Sequence, residues 1–164
     1  MNLMDQQLQQ YLKEHHIYYI LHTHPVVFSV AEAEIHCKHV GGLPCKNLFL
    51  TDKEHPEKIY LVIMPGHKRL DMKSLAKNIG IKALTFGSEG QLYETLKLTP
   101  GSVSPFGLIH DAEHRVNVLI DSEVWDAPLV NFHPNINTES LELTQDNFHR
   151  FIASLKHTVQ VLRL

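Results

Sequence analysis

Thirteen histidines stand among the 164 residues, and imidazole is the side chain that titrates near neutrality and most often ligates metals. His36-Cys37-Lys38-His39, followed by Cys45, gathers candidate ligands within a short stretch. His22 and His24 fall on one strand face, and His110 and His114 flank a turn. Zinc spacing is missing, however. There is no Cys-x-x-Cys and no His-Glu-x-x-His, and Gly41-Gly42 breaks the chain between His39 and Cys45. No metal and no cofactor is expected. Hydrolytic chemistry has other candidates. Ser102 and Ser104 lie in Gly101-Ser102-Val103-Ser104-Pro105-Phe106-Gly107, which contains neither a Gly-x-Ser-x-Gly elbow nor the Gly-Lys-Ser/Thr of a phosphate loop. What the segment offers is backbone. Gly101 permits close approach to a ligand, Pro105 stiffens the exit, and the N–H groups between them can face a developing oxyanion. Lys46, at the mouth of the apolar run Asn47-Leu48-Phe49-Leu50, can hold an anionic or carbonyl-rich group as a point charge. His133, between Phe132 and Pro134, can hydrogen-bond a substrate amine or hydroxyl. Each also has a plain structural use, as a turn, a strand-end cap and a turn closure, and on local grounds both uses stand open.

The elements that must position these groups follow from periodicity and turn chemistry. Residues 3–15 read as a helix with Met4, Leu8, Tyr11 and Leu12 on one face, and residues 17–22 as a strand. Ser29 with Glu32 opens a short helix towards Val40, which Gly41-Gly42 ends. Residues 47–51 and 59–64 form an antiparallel hairpin across Glu54-His55-Pro56-Glu57. Asp71 caps a helix carrying Met72, Leu75, Ala76 and Ile79, and Ser88 with Gln91 opens another that runs to about Lys97. Residues 98–107 read as loop, and 84–86, 108–110, 116–120 and 158–164 as strands. A last helix carries Phe148, Phe151, Ile152 and Leu155. The expectation is one α/β domain of α+β type over residues 1–164, with a mixed, partly antiparallel sheet surrounded by helices. Ordinary composition, 43% hydrophobic and 20% charged, fits that size without disulfides. The start Met1-Asn2-Leu3-Met4-Asp5 lacks the marks of an export signal, and no apolar run spans a bilayer, so no membrane partner and a cytoplasmic setting are expected.

Taken together and in order, Lys46-Asn47-Leu48-Phe49-Leu50, the Gly-Ser-Val-Ser-Pro-Phe-Gly loop and Phe132-His133-Pro134 resemble the signatures of prolyl-tRNA editing domains. His24-Pro25-Val26-Val27-Phe28 adds to the likeness. The resemblance is closest to the free-standing deacylases of the YbaK/prolyl-tRNA synthetase-associated domain superfamily, and among these to the type that removes alanine from proline tRNA. It implies hydrolysis of an aminoacyl ester by water, with help from the ribose 2′-hydroxyl and no covalent enzyme intermediate. It places Lys46, Gly101, Ser102 and Val103 at the reacting group, and Asn47, Ser104, Pro105, His133 and Phe28 on the substrate. Cys45, beside the lysine, is not the nucleophile in this scheme but a small buried side chain.

A tRNA partner must fit a net charge of −3. Residues 1–82 carry ten basic and eight acidic residues, and residues 83–164 carry five and ten, so the first half is mildly basic. Lys68, Arg69, Lys73 and Lys77 form a candidate phosphate-facing stripe, with Lys73 and Lys77 on one helical face. The partners implied are mischarged tRNA(Pro), with prolyl-tRNA synthetase or an elongation factor. Two other readings compete: a non-catalytic module of the same fold that docks tRNA or a synthetase, and a histidine-based metal-binding protein.

Overall fold

The apolar run Ile59–Pro65 (β3) is buried at every residue, as a strand covered on both faces must be. Ile59, Leu61 and Ile63 enter a larger core on one face, and Tyr60, Val62 and Met64 a smaller core on the other. The computed structural model describes residues 5–25, 40–136 and 138–164. Around β3 the strands are β1 (Ile20–Thr23), β2 (Leu43–Asp52), β4 (Leu84–Phe86), β5 (Val116–Asp121), β6 (Leu129–Phe132), β7 (Glu139–Thr144) and β8 (Val159–Leu162). They run in the order β1-β7-β6-β2-β3-β5-β8, with β4 pairing β2. The β2–β3 hairpin is antiparallel from Cys45↔Pro65 to Thr51↔Ile59, whereas β3–β5, β5–β8 and β2–β6 are parallel. The expected single mixed sheet is what forms.

Helices cover it: α1 (Gln6–Glu14), α2 (Met72–Asn78), α3 (Glu89–Leu96), α4 (Ser122–Asp126) and α5 (Gln145–Leu155). Leu8 and Leu12 of α1 and Phe148, Phe151, Ile152 and Leu155 of α5 fill the larger core, and Leu75 and Ala76 of α2 close the smaller one. The caps follow their residue types. Asp5, Asp71 and Ser88 accept from the N–H of Gln7, Ser74 and Gln91 respectively. Only half of the expected Ser88/Gln91 box forms, because the Gln91 amide donates instead to the Pro56 carbonyl at 2.8 Å, tying α3 to the hairpin turn.

Residues 108–110, expected as a strand, belong to a 3-10 helix, Pro105–His110. Ser104 caps it and Pro105 occupies its first turn, where a missing N–H costs nothing, so the start signal outweighs the short apolar run Leu108-Ile109. α4, β6 and β7 were not expected. Each is short, and the four-residue β6 lies between Pro128 and the His133-Pro134 turn. Residues 29–39 of the helix expected towards Val40, and residue Met4, lie outside the described residues. No helix among the described residues is long and apolar enough to cross a membrane.

Candidate active site

β2 is ten residues long and has different neighbours at its two ends. Its β3 edge is paired continuously from Cys45 to Thr51. On the other edge, β6 pairs only Leu43 and Pro44, and β4 pairs only Leu50 to Asp52. Between them the sheet forks. Gly41-Gly42 sets the entry. Gly42 has a φ of +86°, a side chain at Gly41 would run into Glu142, and one at Gly42 into the Leu129 backbone. Gly41 N–H donates to Glu142 Oε1 at 2.9 Å, and Asn131 Nδ2 donates to the Gly41 carbonyl at 2.9 Å. The first residues of β2 are thereby fastened to β6 and β7 before the strands part.

Lys46 and Asn47 stand on the forked stretch, on opposite faces of the strand. Asn47 shares a face with Cys45 and Phe49 of the larger core, and Lys46 with Leu48 and Leu50 of the smaller one. β6 pairs β2 only as far as Pro44↔Asn131, so Lys46 and His133 each follow two residues beyond the last paired position, where the two strands part. Into the fork comes the loop of residues 101–104. Gly101 has a φ of +90°, a conformation glycine adopts without strain. Asn47 Nδ2 donates to the Val103 carbonyl at 3.4 Å on one side, and the Ser104 hydroxyl donates to the His133 carbonyl at 2.5 Å on the other. Ser104 Oγ also accepts from Phe106 N–H at 3.1 Å, and Ser104 is fully buried. Its hydroxyl therefore holds the loop against the His133 turn. Ser102 N–H is already donated to the Thr99 carbonyl at 3.1 Å.

His133 donates Nδ1–H to the Glu139 carbonyl at 3.0 Å, which leaves Nε2 as the acceptor of the neutral ring. Burial holds its pKa below the usual 6.5; the Glu139 hydrogen bond opposes this, and nearby His24 adds to it. The His24 ring lies 5.9 Å from that of His133, with Nδ1 on the Pro25 carbonyl and Nε2 on the Ser140 hydroxyl, both at 2.9 Å. Burial also drives the Cys45 thiol far up, and its Sγ contacts the Leu43 carbonyl at 3.3 Å; a protonated thiol suits a packing role.

The structure thus brings Lys46, Asn47, Val103, Ser104 and His133 to one fork, while Phe28 lies outside the described residues. Among the described residues no three His, Cys, Asp or Glu side chains converge as metal ligands; His36, Cys37 and His39 lie outside them. The basic stripe divides. Lys68 is half-buried and donates to Asp121 Oδ2 at 3.0 Å and to the Leu164 carbonyl at 3.4 Å, whereas Arg69, Lys73 and Lys77 are exposed around α2. Residues that composition and spacing missed include Glu139, Glu142 and Asn131. The alternation Glu139-Ser140-Leu141-Glu142-Leu143 would have placed Glu139 on the apolar face of its strand.

Comparison with known proteins adds to this geometry. The family model described as an aminoacyl-tRNA editing domain matches residues 24–151. The prolyl-tRNA editing protein ProX of Acetoanaerobium sticklandii is 34% identical over 154 residues, covering 93% of each chain. The prolyl-tRNA synthetase associated domain-containing protein 1 of Xenopus laevis is 33% identical over 156 residues, covering 93% of this chain and 92% of that one. A crystal structure provisionally assigned as a trans-editing enzyme for prolyl tRNA synthetase superposes with a TM-score of 0.74. Its identity is 18%, and the match covers 100% of this chain and 98% of that one, a likeness of fold.

Proposed function

The chain belongs to the aminoacyl-tRNA editing domain family, and from that premise we propose that it is a trans-acting deacylase of mischarged tRNA(Pro), with alanine as the amino acid removed. The observation that carries this reading is the pinned loop: Asn47 and Ser104 fix residues 101–104 between the strand bearing Lys46 and the turn bearing His133. A loop so held presents its N–H groups without reorganisation. With Ser102 N–H already used and Ser104 fully buried, the donor for the ester oxyanion is the N–H of Val103. Lys46 holds the substrate as a point charge, and the His133 Nε2 accepts a hydrogen bond from the attacking water or the ribose 2′-hydroxyl. That hydroxyl, carried by the substrate, contributes proximity that no side chain supplies. A site of this kind is needed because a synthetase pocket shaped for proline cannot strongly reject smaller amino acids.

Arg69, Lys73 and Lys77 are the proposed phosphate contacts, with Lys68 acting through its ion pair to hold the residues before α2. Prolyl-tRNA synthetase is the proposed protein partner, in keeping with the relatives' names; those names say nothing of an elongation factor. The test is a deacylation panel on tRNA(Pro) carrying alanine, cysteine, serine, threonine or proline. Release of alanine ahead of the others is expected. Binding without release of any would point to the non-catalytic module instead.

A further inference from the structure

Buried polar groups nearly always find partners, so exceptions that gather in one place ask for a ligand. Among the described residues, the buried side-chain nitrogen and oxygen atoms without a hydrogen-bond partner are Asn47 Oδ1, both amide atoms of Asn135, and both carboxylate oxygens of Glu139. Asn47 and Glu139 adjoin the fork, whereas Asn135 lines a separate pocket with Asp5, Tyr93 and His110. Asn47 is pinned to Val103, and the Glu139 carbonyl receives the His133 ring. Glu139 is 1% exposed and has no ion pair among the described residues. Two residues before Leu141 on β7, it shares the face on which Leu141 and Leu143 enter the larger core. The neighbouring Tyr19 feels its charge: burial first, then Glu139, raises the phenol pKa.

An uncompensated buried carboxylate is costly, and a cation that arrives with the substrate removes that cost. Resting on the deacylase reading above, we propose that Glu139 receives the α-ammonium group of the aminoacyl moiety, with Asn47 Oδ1 as a second acceptor. Asn47 Nδ2 is used on Val103, so its oxygen is the atom left over. An ammonium offers three N–H donors and a charge, which is what the unpartnered acceptors lack. A substrate with a blocked amine brings neither the charge nor the full donor set. The site therefore requires a free amine and rejects N-acylated or peptidyl esters. Glu139 is thus a specificity-determining residue.

The probe is the non-hydrolysable 3′-(alanylamino)-3′-deoxyadenosine, compared with its N-acetyl form by calorimetry on the full chain. The wild-type protein is expected to prefer the free amine by about tenfold or more, the scale of one charge-assisted hydrogen bond. Glu139→Gln should bring the two affinities together, and Glu139→Asp should restore part of the preference. Thermal unfolding checks that both variants fold. Equal binding by the wild type, a preference that survives Glu139→Gln, or no binding of either compound overturns the proposal. Wild-type protein that binds with the expected preference yet releases no amino acid in the deacylation panel overturns the deacylase reading and leaves the ammonium site standing.

Discussion

His133 and His157 are both largely withdrawn from solvent, yet they close their surroundings differently. The Nδ1 of His157 meets the Leu155 carbonyl at 3.2 Å and its Nε2 meets Asp111 Oδ2 at 3.0 Å, so both ring nitrogens are taken. Asp111 Oδ2 also accepts from Val116 N–H at 2.9 Å, which locks the turn before β5 to the segment before β8. His133 uses one nitrogen on the Glu139 carbonyl, and the carboxylate of that same glutamate has no hydrogen-bond partner among the described residues. Asp111 and Glu139 are comparable buried carboxylates, 3% and 1% exposed, with opposite fates. The first is part of the fold's own wiring; the second waits for something the fold does not contain. A protein rich in histidine can thus spend the same residue on architecture and on chemistry, and only the unfilled valence tells them apart.

That contrast can be broken from either side. The largest effect is expected at the closed end: Asp111→Ala strands a buried imidazole and should cost about 3–5 kcal/mol of stability while leaving the deacylation rate of the folded fraction unchanged. Chemical denaturation paired with single-turnover kinetics reads both quantities, and an activity loss beyond the folded fraction would dissolve the distinction. At the open end, Lys46→Ala should lower deacylation about a hundred- to thousandfold with an unmoved melting temperature. A near-normal rate would remove Lys46 from the site. Ser104→Ala removes a cap and one pin of the loop, and should lower stability by about 1 kcal/mol with a moderate loss of rate.

His133 supplies a subtler discriminator. Its pKa lies below the usual 6.5, so the neutral ring persists at pH 7 and activity holds until the pH falls beneath that value. Because the unfolded chain takes up this proton first, the stabilising contribution is present above about pH 6.5 and is lost as the pH drops towards the lower folded value. A ring titration by NMR that falls at or above 6.5 would contradict this. The smallest effect concerns the surface. Removing Lys73 or Lys77 should flatten the salt dependence of tRNA binding by roughly one phosphate contact each, without altering the preference among amino acids.

Local signals in the chain reached the hairpin, the Asp71 and Ser88 caps and the apolar faces of α1 and α5, because each depends on neighbours within a few positions. They also singled out Lys46, the glycine loop and His133 as chemically able. What they could not convey is that these three segments meet in a fork of the sheet, since that depends on where β6 stops pairing with β2, a long-range register that local composition does not carry. β6 escaped notice because four residues beside a proline-bounded turn give little periodicity, whereas the alternation of β7 was there to be read. From the sequence Ser104 is a candidate substrate contact; its burial depends on the His133 carbonyl, 29 residues away, which accepts its hydroxyl.

The one-sided pairing of β2 has a kinetic signature. Over residues 45–48 the strand has a neighbour on its β3 edge and none among the described strands on the other. Successive backbone amides point to alternate edges, so hydrogen exchange along this stretch should run at two speeds, slow where an amide meets β3 and fast where it faces the fork. Occupation of the fork by a substrate analogue should slow the fast set and leave the slow set unchanged, giving a residue-by-residue report of binding from a strand that need not move at all.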